Sequence, residues 1–172
     1  MLYCINHGGW YSMSKENTAV FIGHNECYGV TSEQIKEAIV SLIDKGVTEF
    51  LSGGQGGFDR LCGRCVYELK KEYPHISNYL VIPYLSFNVY NSELFDSVIY
   101  PDDFEKYHFK AAIPARNKFM VDNASYAICF VSLTRKTYLA NMSLYLFRYL
   151  FSQQFQSDCH TFPPAFRSRY SA

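Results

Sequence analysis

The sequence has neither a net charge nor a long apolar run. Its 172 residues carry sixteen Lys and Arg against sixteen Asp and Glu. This balance argues against a protein that coats nucleic acid electrostatically, because such binding depends on excess Lys and Arg. Polar residues break every apolar stretch short of the roughly 18–20 residues that cross a bilayer. Residues 1–17 contain no apolar segment typical of a secretion signal, so we expect a cytoplasmic protein without a membrane partner.

Charged residues make up only 19% of the chain, whereas 48% is hydrophobic, which favours one folded domain over bulk disorder. A single tryptophan contrasts with fifteen tyrosines and fourteen phenylalanines. We divide the chain into an N-terminal extension over residues 1–17, a domain over 18–151 and a C-terminal tail over 152–172. The tail is rich in Ser, Gln, Phe, Pro and Arg without periodicity, a composition compatible with disorder.

The six cysteines do not suggest a disulfide framework, because a chain of this length and apolar content needs no such bridges. Cys62 and Cys65 form a C-x-x-C motif, but no second Cys/His pair stands at zinc-binding spacing. Both cysteines share an apolar helical stripe with Phe58, Leu61 and Leu69. We therefore expect them in the core, and we expect no metal site.

Apolar runs alternate with amphipathic helical patterns along residues 18–131. Thr31 and Gln34 form a capping-box pair ahead of a helix that Gly46 ends. A further helix is predicted from Ile113, with Pro114 near its first position. Strands are predicted at 18–22, 47–51, 79–82 and 126–131, with another near 97–100, and a buried helix at 138–151. This alternation predicts an α/β domain with a doubly wound, mostly parallel Rossmann-like sheet and helices on both faces.

The strongest local motif is a glycine-rich turn between a predicted strand and helix. Ser52 is followed by four glycines within five positions: Gly53, Gly54, Gly56 and Gly57. Glycines let a ligand approach the backbone, and the amides of a helix N-terminus attract anions. The motif matches neither a Walker A loop nor G-x-G-x-x-G. We favour binding of a phosphate-like group over a tight turn without a ligand.

Four other side chains are candidates for the same edge of the sheet. Asp59 suits either compensation of the helix dipole or acceptance of ribose hydroxyl hydrogen bonds. His24 follows Gly23 at the end of the first strand, where it is a ligand contact, an acid or base, or a structural partner. Arg116 and Asn117 suit anion recognition, although composition alone favours a surface arginine paired with a carboxylate.

The ordered succession of these segments resembles the SLOG superfamily, in particular its DUF1273/YpsA-like branch. The resemblance covers about residues 18–131 and rests on four segments: Thr18–His24, Phe50–Asp59, Glu68–Pro74 and Arg116–Asp122. It implies a Rossmann-like fold in a bacterium or its phage, and a pocket for a nucleotide-derived molecule such as NAD or ADP-ribose. The residues matching the family motifs are Gly23, His24, Ser52, Gly53, Gly54, Gly57, Asp59, Arg116 and Asn117.

Two departures from the family pattern bear on chemistry. Asn25 stands where the family usually has arginine, which removes a cation from the first loop. No glycine follows Gly63 and no glutamate follows Glu105, so the second glycine-rich loop and the catalytic glutamate of related phosphoribohydrolases are unmatched. The resemblance therefore implies a binding protein more than an enzyme.

We expect a sensor or regulator that binds a nucleotide-type ligand and requires no cofactor. One alternative is an N-glycosidic or phosphoribosyl hydrolase using Asp59 or Asp96. Another is single-stranded DNA binding, because the superfamily that the sequence resembles includes a DNA-processing branch, although the balanced charge argues against a nucleic-acid partner. SLOG-like domains often associate, so a homodimer is also compatible.

Overall fold

A computed structural model of the protein describes residues 13–23 and 25–130, together with the backbone of His160–Thr161. The predicted loop after Val131, the helix at 138–151, most of the tail and most of the N-terminal extension lie outside the described residues. The division into domains therefore stays a prediction.

The described residues form three α-helices that alternate with parallel strands, and three single-turn 3₁₀ helices at Lys15–Asn17, Ser92–Leu94 and Phe104–Lys106. The strands are β1 (Thr18–Gly23), β2 (Glu49–Ser52), β3 (Ser77–Val81), β4 (Ser97–Ile99), β5 (Tyr126–Phe130) and β6 (His160–Thr161). The helices are α1 (Ser32–Ile43), α2 (Gly57–Leu69) and α3 (Phe109–Asp122). All pairings are parallel, in the order β4-β3-β2-β1-β5-β6. This confirms the doubly wound Rossmann-like α/β fold.

Alternate residues of each strand supply two cores on opposite faces of the sheet. On β1, Phe21 packs in the cluster with α1 and α2, whereas Val20 packs in the cluster with α3. Because a parallel sheet is buried on both faces, its strands read as continuous apolar runs instead of alternating patterns. Cys62 and Cys65 lie in the α1–α2 core, and burial raises the pKa of both thiols, that of Cys65 to about 11. The prediction of core cysteines is confirmed.

The sheet order reverses direction beside β1, since β2 to β4 run outward on one side and β5 and β6 on the other. Ligands of such sheets bind beyond the carboxyl ends of the strands at this switch point. Gly23, Ser52 and Val81 end β1, β2 and β3 at that edge.

Local signals set both ends of α1. Thr31 Oγ1 accepts a hydrogen bond from the Gln34 N–H at 3.3 Å, and Gln34 Oε1 accepts one from the Thr31 N–H at 3.1 Å. Gly46 has a φ of +91°, and the Val47 N–H donates to the Leu42 carbonyl at 3.0 Å. This is a glycine-terminated C-cap, as predicted.

The prediction for α3 is wrong at its start. The helix begins at Phe109, four residues before Ile113, with His108 as N-cap and Pro114 inside it. Lys110, Ala111 and Ala112 are good helix formers, and Pro114 removes only the hydrogen bond to the carbonyl of exposed Lys110. The earlier start carries the N-terminal turn of α3 past the carboxyl edge of the sheet.

The capping box makes a testable contribution to stability. Thr31→Ala removes the acceptor for the Gln34 N–H and should lower the free energy of unfolding by about 1 kcal/mol. Urea denaturation measures the change, and Thr31→Ser, which keeps the hydroxyl, should lose much less. Equal losses in the two variants would contradict a capping role for the hydroxyl.

Candidate functional site

The glycine-rich turn lies where predicted, between β2 and α2 at the carboxyl edge of the sheet. Ser52 ends β2 and is fully buried, and its Oγ accepts a hydrogen bond from the Gly54 N–H at 3.3 Å. Gly56 is the N-cap of α2, with a φ of +108°. The N-terminus of α2, with its partial positive charge, therefore points to the edge where ligands bind in this fold.

Arg116 extends from α3 beneath this turn. Its Nη1 donates to the carbonyls of Gly53 and Val81, the latter at 3.2 Å. Its Nη2 donates to Gln55 Oε1 at 3.3 Å, and its Nε donates to Asn117 Oδ1 at 2.8 Å. The side chain thus joins the turn after β2, the end of β3 and helix α3, and we call this set of contacts the Arg116 clamp.

The clamp shows that Arg116 is no surface arginine, and the interpretation favoured by composition is wrong. Arg116 is only 2% exposed. Burial lowers the pKa of its guanidinium, while the nearby Asp59 and Tyr84 raise it. The guanidinium lies beneath the glycine-rich turn, and four of its five N–H groups bond to the chain itself, so the ligand-binding role that the resemblance implies for Arg116 stays a prediction.

Packing within the chain accounts for the glycine density. A Cβ on Gly53 would lie 2.7 Å from Arg116 Cζ, inside the clamp. A Cβ on Gly56 would lie 2.9 Å from Asn25 Cα, and its positive φ disfavours any side chain. The number of glycines therefore does not by itself indicate that a ligand approaches the backbone, because a Cβ at each position would be too close to atoms of neighbouring residues.

Asn25 lies directly on the N-terminus of α2. The Gly57 N–H donates to the Asn25 carbonyl at 2.8 Å and to Asn25 Oδ1 at 3.2 Å. Within the part of the chain that the structure describes, the N–H groups of Gly56 and Phe58 have no hydrogen-bond partner. One amide of the helix N-terminus is thus occupied by the chain itself. Phe58 is fully buried, so the partly exposed N–H of Gly56 is the neighbour that keeps donor capacity for an anion.

Asp59 lies one turn into α2 and is 7% exposed. Its Oδ2 accepts a hydrogen bond from the Gln55 N–H at 3.0 Å, which braces the turn. Burial raises the pKa of Asp59 to about 6, although Arg116, the Gln55 hydrogen bond and Arg60 lower it. Of the two readings of Asp59, this geometry favours stabilisation of the helix start.

Of the other predicted site residues, Gly23 and Asn117 contact residues of the turn or of the Arg116 clamp, and His24 is not among the described residues. Gly23 packs against Phe58, since a Cβ there would lie 2.3 Å from Phe58 Cδ1. Asn117 orients the guanidinium of Arg116 through the hydrogen bond at its Oδ1. His24 lies outside the described residues, so its role stays a prediction. The ligand-binding role of the whole set likewise stays a prediction.

Asp96 lies at the opposite edge of the sheet. It precedes β4 and accepts hydrogen bonds from Lys70 Nζ and from the Asn78 N–H, the latter at 2.8 Å near the start of β3. A residue at the amino ends of the strands is remote from the glycine-rich turn. Asp96 therefore supports the sheet and takes no part in this site.

The structural roles of three residues were not predicted from the sequence. Gln55 and Val81 hold Arg116, and Asn25 caps α2 with both its carbonyl and its side chain. Asparagine is a preferred N-cap residue, but Asn25 acts on a helix 32 positions away, which no local pattern indicates. Val81 bonds to Arg116 through its backbone carbonyl, which every residue has, so the residue type does not indicate this role.

The described residues contain no group of three His, Cys, Asp or Glu side chains placed to hold a metal ion. Among the same residues, no helix combines the length and apolar character that a membrane crossing requires.

The clamp predicts a large effect for a conservative substitution. Arg116→Lys keeps a charge but cannot reach the Gly53 carbonyl, the Val81 carbonyl and Gln55 together. We expect a loss of about 2–4 kcal/mol in the free energy of unfolding by urea denaturation, because buried acceptors lose charged donors. The matched control Arg64→Lys, on an exposed face of α2, should change it by less than about 0.5 kcal/mol. Comparable losses in both variants would contradict the clamp.

The raised pKa of Asp59 predicts a pH-dependent stability. Because the pKa of Asp59 in the fold, about 6, exceeds its ordinary value of 3.8, the folded state binds more protons than the unfolded state between these values. The contribution of Asp59 therefore falls as pH rises from 4 to 7. Asp59→Asn abolishes this titration, so its unfolding free energy relative to wild type should rise by up to about 3 kcal/mol over that range. Chemical denaturation at several pH values tests this, with Asp102→Asn as an exposed control; a flat difference would refute it.

Comparisons with known proteins agree with this architecture. The family model YpsA, described as the YspA SLOG family, matches residues 14–159, beyond the segment at 18–131 that carried the resemblance. The uncharacterized SPbeta prophage-derived protein YoqJ of Bacillus subtilis (strain 168) is 24% identical over 119 residues, covering 55% of this chain and 70% of that protein.

Among solved structures, the fold is similar to that of DNA processing protein A from Helicobacter pylori, studied for its single-stranded DNA binding mode. The TM-score is 0.51 at 17% identity over 80% of this chain, which spans 63% of that structure's length. At this identity the likeness concerns the fold alone. The family match covers most of the chain, and the chain therefore belongs to the YspA SLOG family.

Proposed function

We propose that the protein binds a nucleotide-derived small molecule, of the NAD or ADP-ribose type, as a sensor or regulator. The phosphate-bearing part of the ligand lies against the N-terminus of α2. The observation that carries this proposal is the N–H group of Gly56 at the carboxyl edge of the sheet, which is partly exposed and has no hydrogen-bond partner among the described residues. Membership of the SLOG family, a nucleotide-related group, supports it.

The electrostatics of the turn favour an anion. The partial charge of the α2 N-terminus is positive, and the Arg116 guanidinium lies beneath the same turn. Asp59 opposes this field when ionised, but its raised pKa of about 6 weakens that opposition at mildly acidic pH. The clamp fixes the turn before any ligand arrives, so little ordering entropy is lost on binding.

A charge at position 25 tests the proposal without disturbing the fold. Asn25→Asp keeps an oxygen acceptor for the Gly57 N–H but places a negative charge where the ligand phosphate would lie. ADP-ribose, NAD and ADP should raise the melting temperature of the wild-type protein, and Asn25→Asp should weaken binding of the responding nucleotide roughly tenfold. Calorimetric titration provides the affinities.

The matched control is Thr31→Asp, which adds the same charge at the N-cap of α1 and keeps a capping acceptor. Its nucleotide affinity should equal that of the wild type. A substitution at Gly54 is less suitable, because a Cβ there would lie 2.5 Å from Leu80 Cδ1. If a folded wild-type protein gives no thermal shift with any nucleotide, the proposal fails.

Two alternative functions can be tested on the same protein. A hydrolase acting on the N-glycosidic bond would have only Asp59 of the two carboxylates considered, and release of free base, lost in Asp59→Ala, would identify it. Single-stranded DNA binding is favoured by the fold shared with DNA processing protein A and opposed by zero net charge. A steeply salt-dependent affinity for a single-stranded oligonucleotide would favour it.

A further inference from the structure

Aromatic side chains gather where β3 ends and α3 begins. The rings of Tyr84 and Phe109 lie 4.7 Å apart between centroids at an angle of 35°, and Phe87 contacts Tyr84 edge-on at 5.8 Å. Phe109 is nevertheless 60% exposed. We call Tyr84, Phe87 and Phe109 the aromatic platform. A ring held by a neighbour on one side and open on the other is suited to stacking.

The platform borders the candidate site. Tyr84 comes three residues after the end of β3, where the Val81 carbonyl accepts from Arg116, and it is close enough to influence the charge of that guanidinium. Phe109 precedes Arg116 by seven residues on α3, which places the two on one face of the helix about 10 Å apart along its axis. An extended nucleoside diphosphate spans a distance of this order.

We propose that the aromatic platform stacks the nucleobase of the ligand whose phosphates lie at the N-terminus of α2. The inference rests on the proposed function and deepens it by naming the element that recognises the base. Stacking on an aromatic face accepts any base, because every nucleobase has a π-face. The platform therefore provides affinity for nucleotides as a class, whereas the turn provides affinity for phosphate.

The location of the platform distinguishes this role from packing in the core. Phe109 stands at the first position of α3, past the carboxyl edge of the sheet, and Leu85 beside Tyr84 is 72% exposed. Neither side chain belongs to the two core clusters of the described residues. Phe109 therefore contributes less to fold stability than a core residue does, and its exposed ring is available to a ligand.

The test compares ligands that differ only in the base. Calorimetric titration measures AMP and ribose 5-phosphate against wild type, Phe109→Ala, Phe109→Tyr and Leu85→Ala. We expect Phe109→Ala to weaken AMP roughly 5- to 150-fold and to leave ribose 5-phosphate unchanged. Phe109→Tyr keeps a π-face and should retain most of the affinity for AMP. Leu85→Ala removes exposed apolar surface without a ring and should match wild type.

The outcomes separate this inference from the proposed function. If AMP binds wild type and Phe109→Ala equally well, or if Phe109→Ala weakens AMP and ribose 5-phosphate alike, the platform does not stack the base, while the phosphate site stands. If neither AMP nor ribose 5-phosphate binds a folded wild-type protein, the proposed function and the stacking role fail together. Concentration-dependent dimerisation that Phe109→Ala abolishes, with AMP affinity unchanged, would assign the platform to a second copy of the chain.

Discussion

The guanidinium of Arg116 joins three parts of the chain that are remote in sequence. It donates to the carbonyl of Gly53 after β2 and to that of Val81 at the end of β3, and it extends from α3 on the other face of the sheet. A planar guanidinium with a fixed fork of donors can hold two carbonyls in a set geometry, which a lysine cannot. The conformation of the glycine-rich turn, and with it the direction of the α2 N-terminus, depends on this contact.

Burying that cation requires compensation. An unpaired charge in the interior is strongly disfavoured, and here backbone carbonyls, Gln55 Oε1 and the field of Asp59 offset the cost. Asp59 is itself buried. Because burial removes water from its carboxylate and disfavours the ionised form, its pKa rises to about 6. The pair thus supports the turn with a charge balance that changes within the physiological pH range.

Much of the fold could be predicted from local signals in the sequence. The strands are continuous apolar runs because both faces of the sheet are covered, and the capping box at Thr31 with the glycine at position 46 marks both ends of α1. The start of α3 could not be predicted in the same way. Proline is favoured at the first position of a helix, so Pro114 indicated a start near Ile113, whereas it lies inside the helix.

The sequence grouped many of the residues that the structure brings together, but it did not indicate their contacts. The resemblance to the family, and not the residue type, singled out Arg116, because its partners are largely backbone carbonyls, which every residue carries. The burial of Asp59 likewise follows from packing of α2 against the sheet and not from the charge pattern around it. Tertiary contacts of this kind become visible only once the strands are placed in order.

The Gly57 N–H donates to Asn25 in the loop after β1, so this loop would compete with a ligand for that N–H group. If the phosphate of the proposed ligand also bonds to the Gly57 N–H, it must first displace a neutral acceptor that is always present at high local concentration. The observed dissociation constant then equals the intrinsic one divided by the fraction of molecules in which the loop has moved away, so a loop that is displaced in about 1% of molecules raises it about 100-fold. In the proposed complex, residue 25 would therefore adjust the affinity through the Gly57 N–H, separately from the contacts that the ligand makes elsewhere.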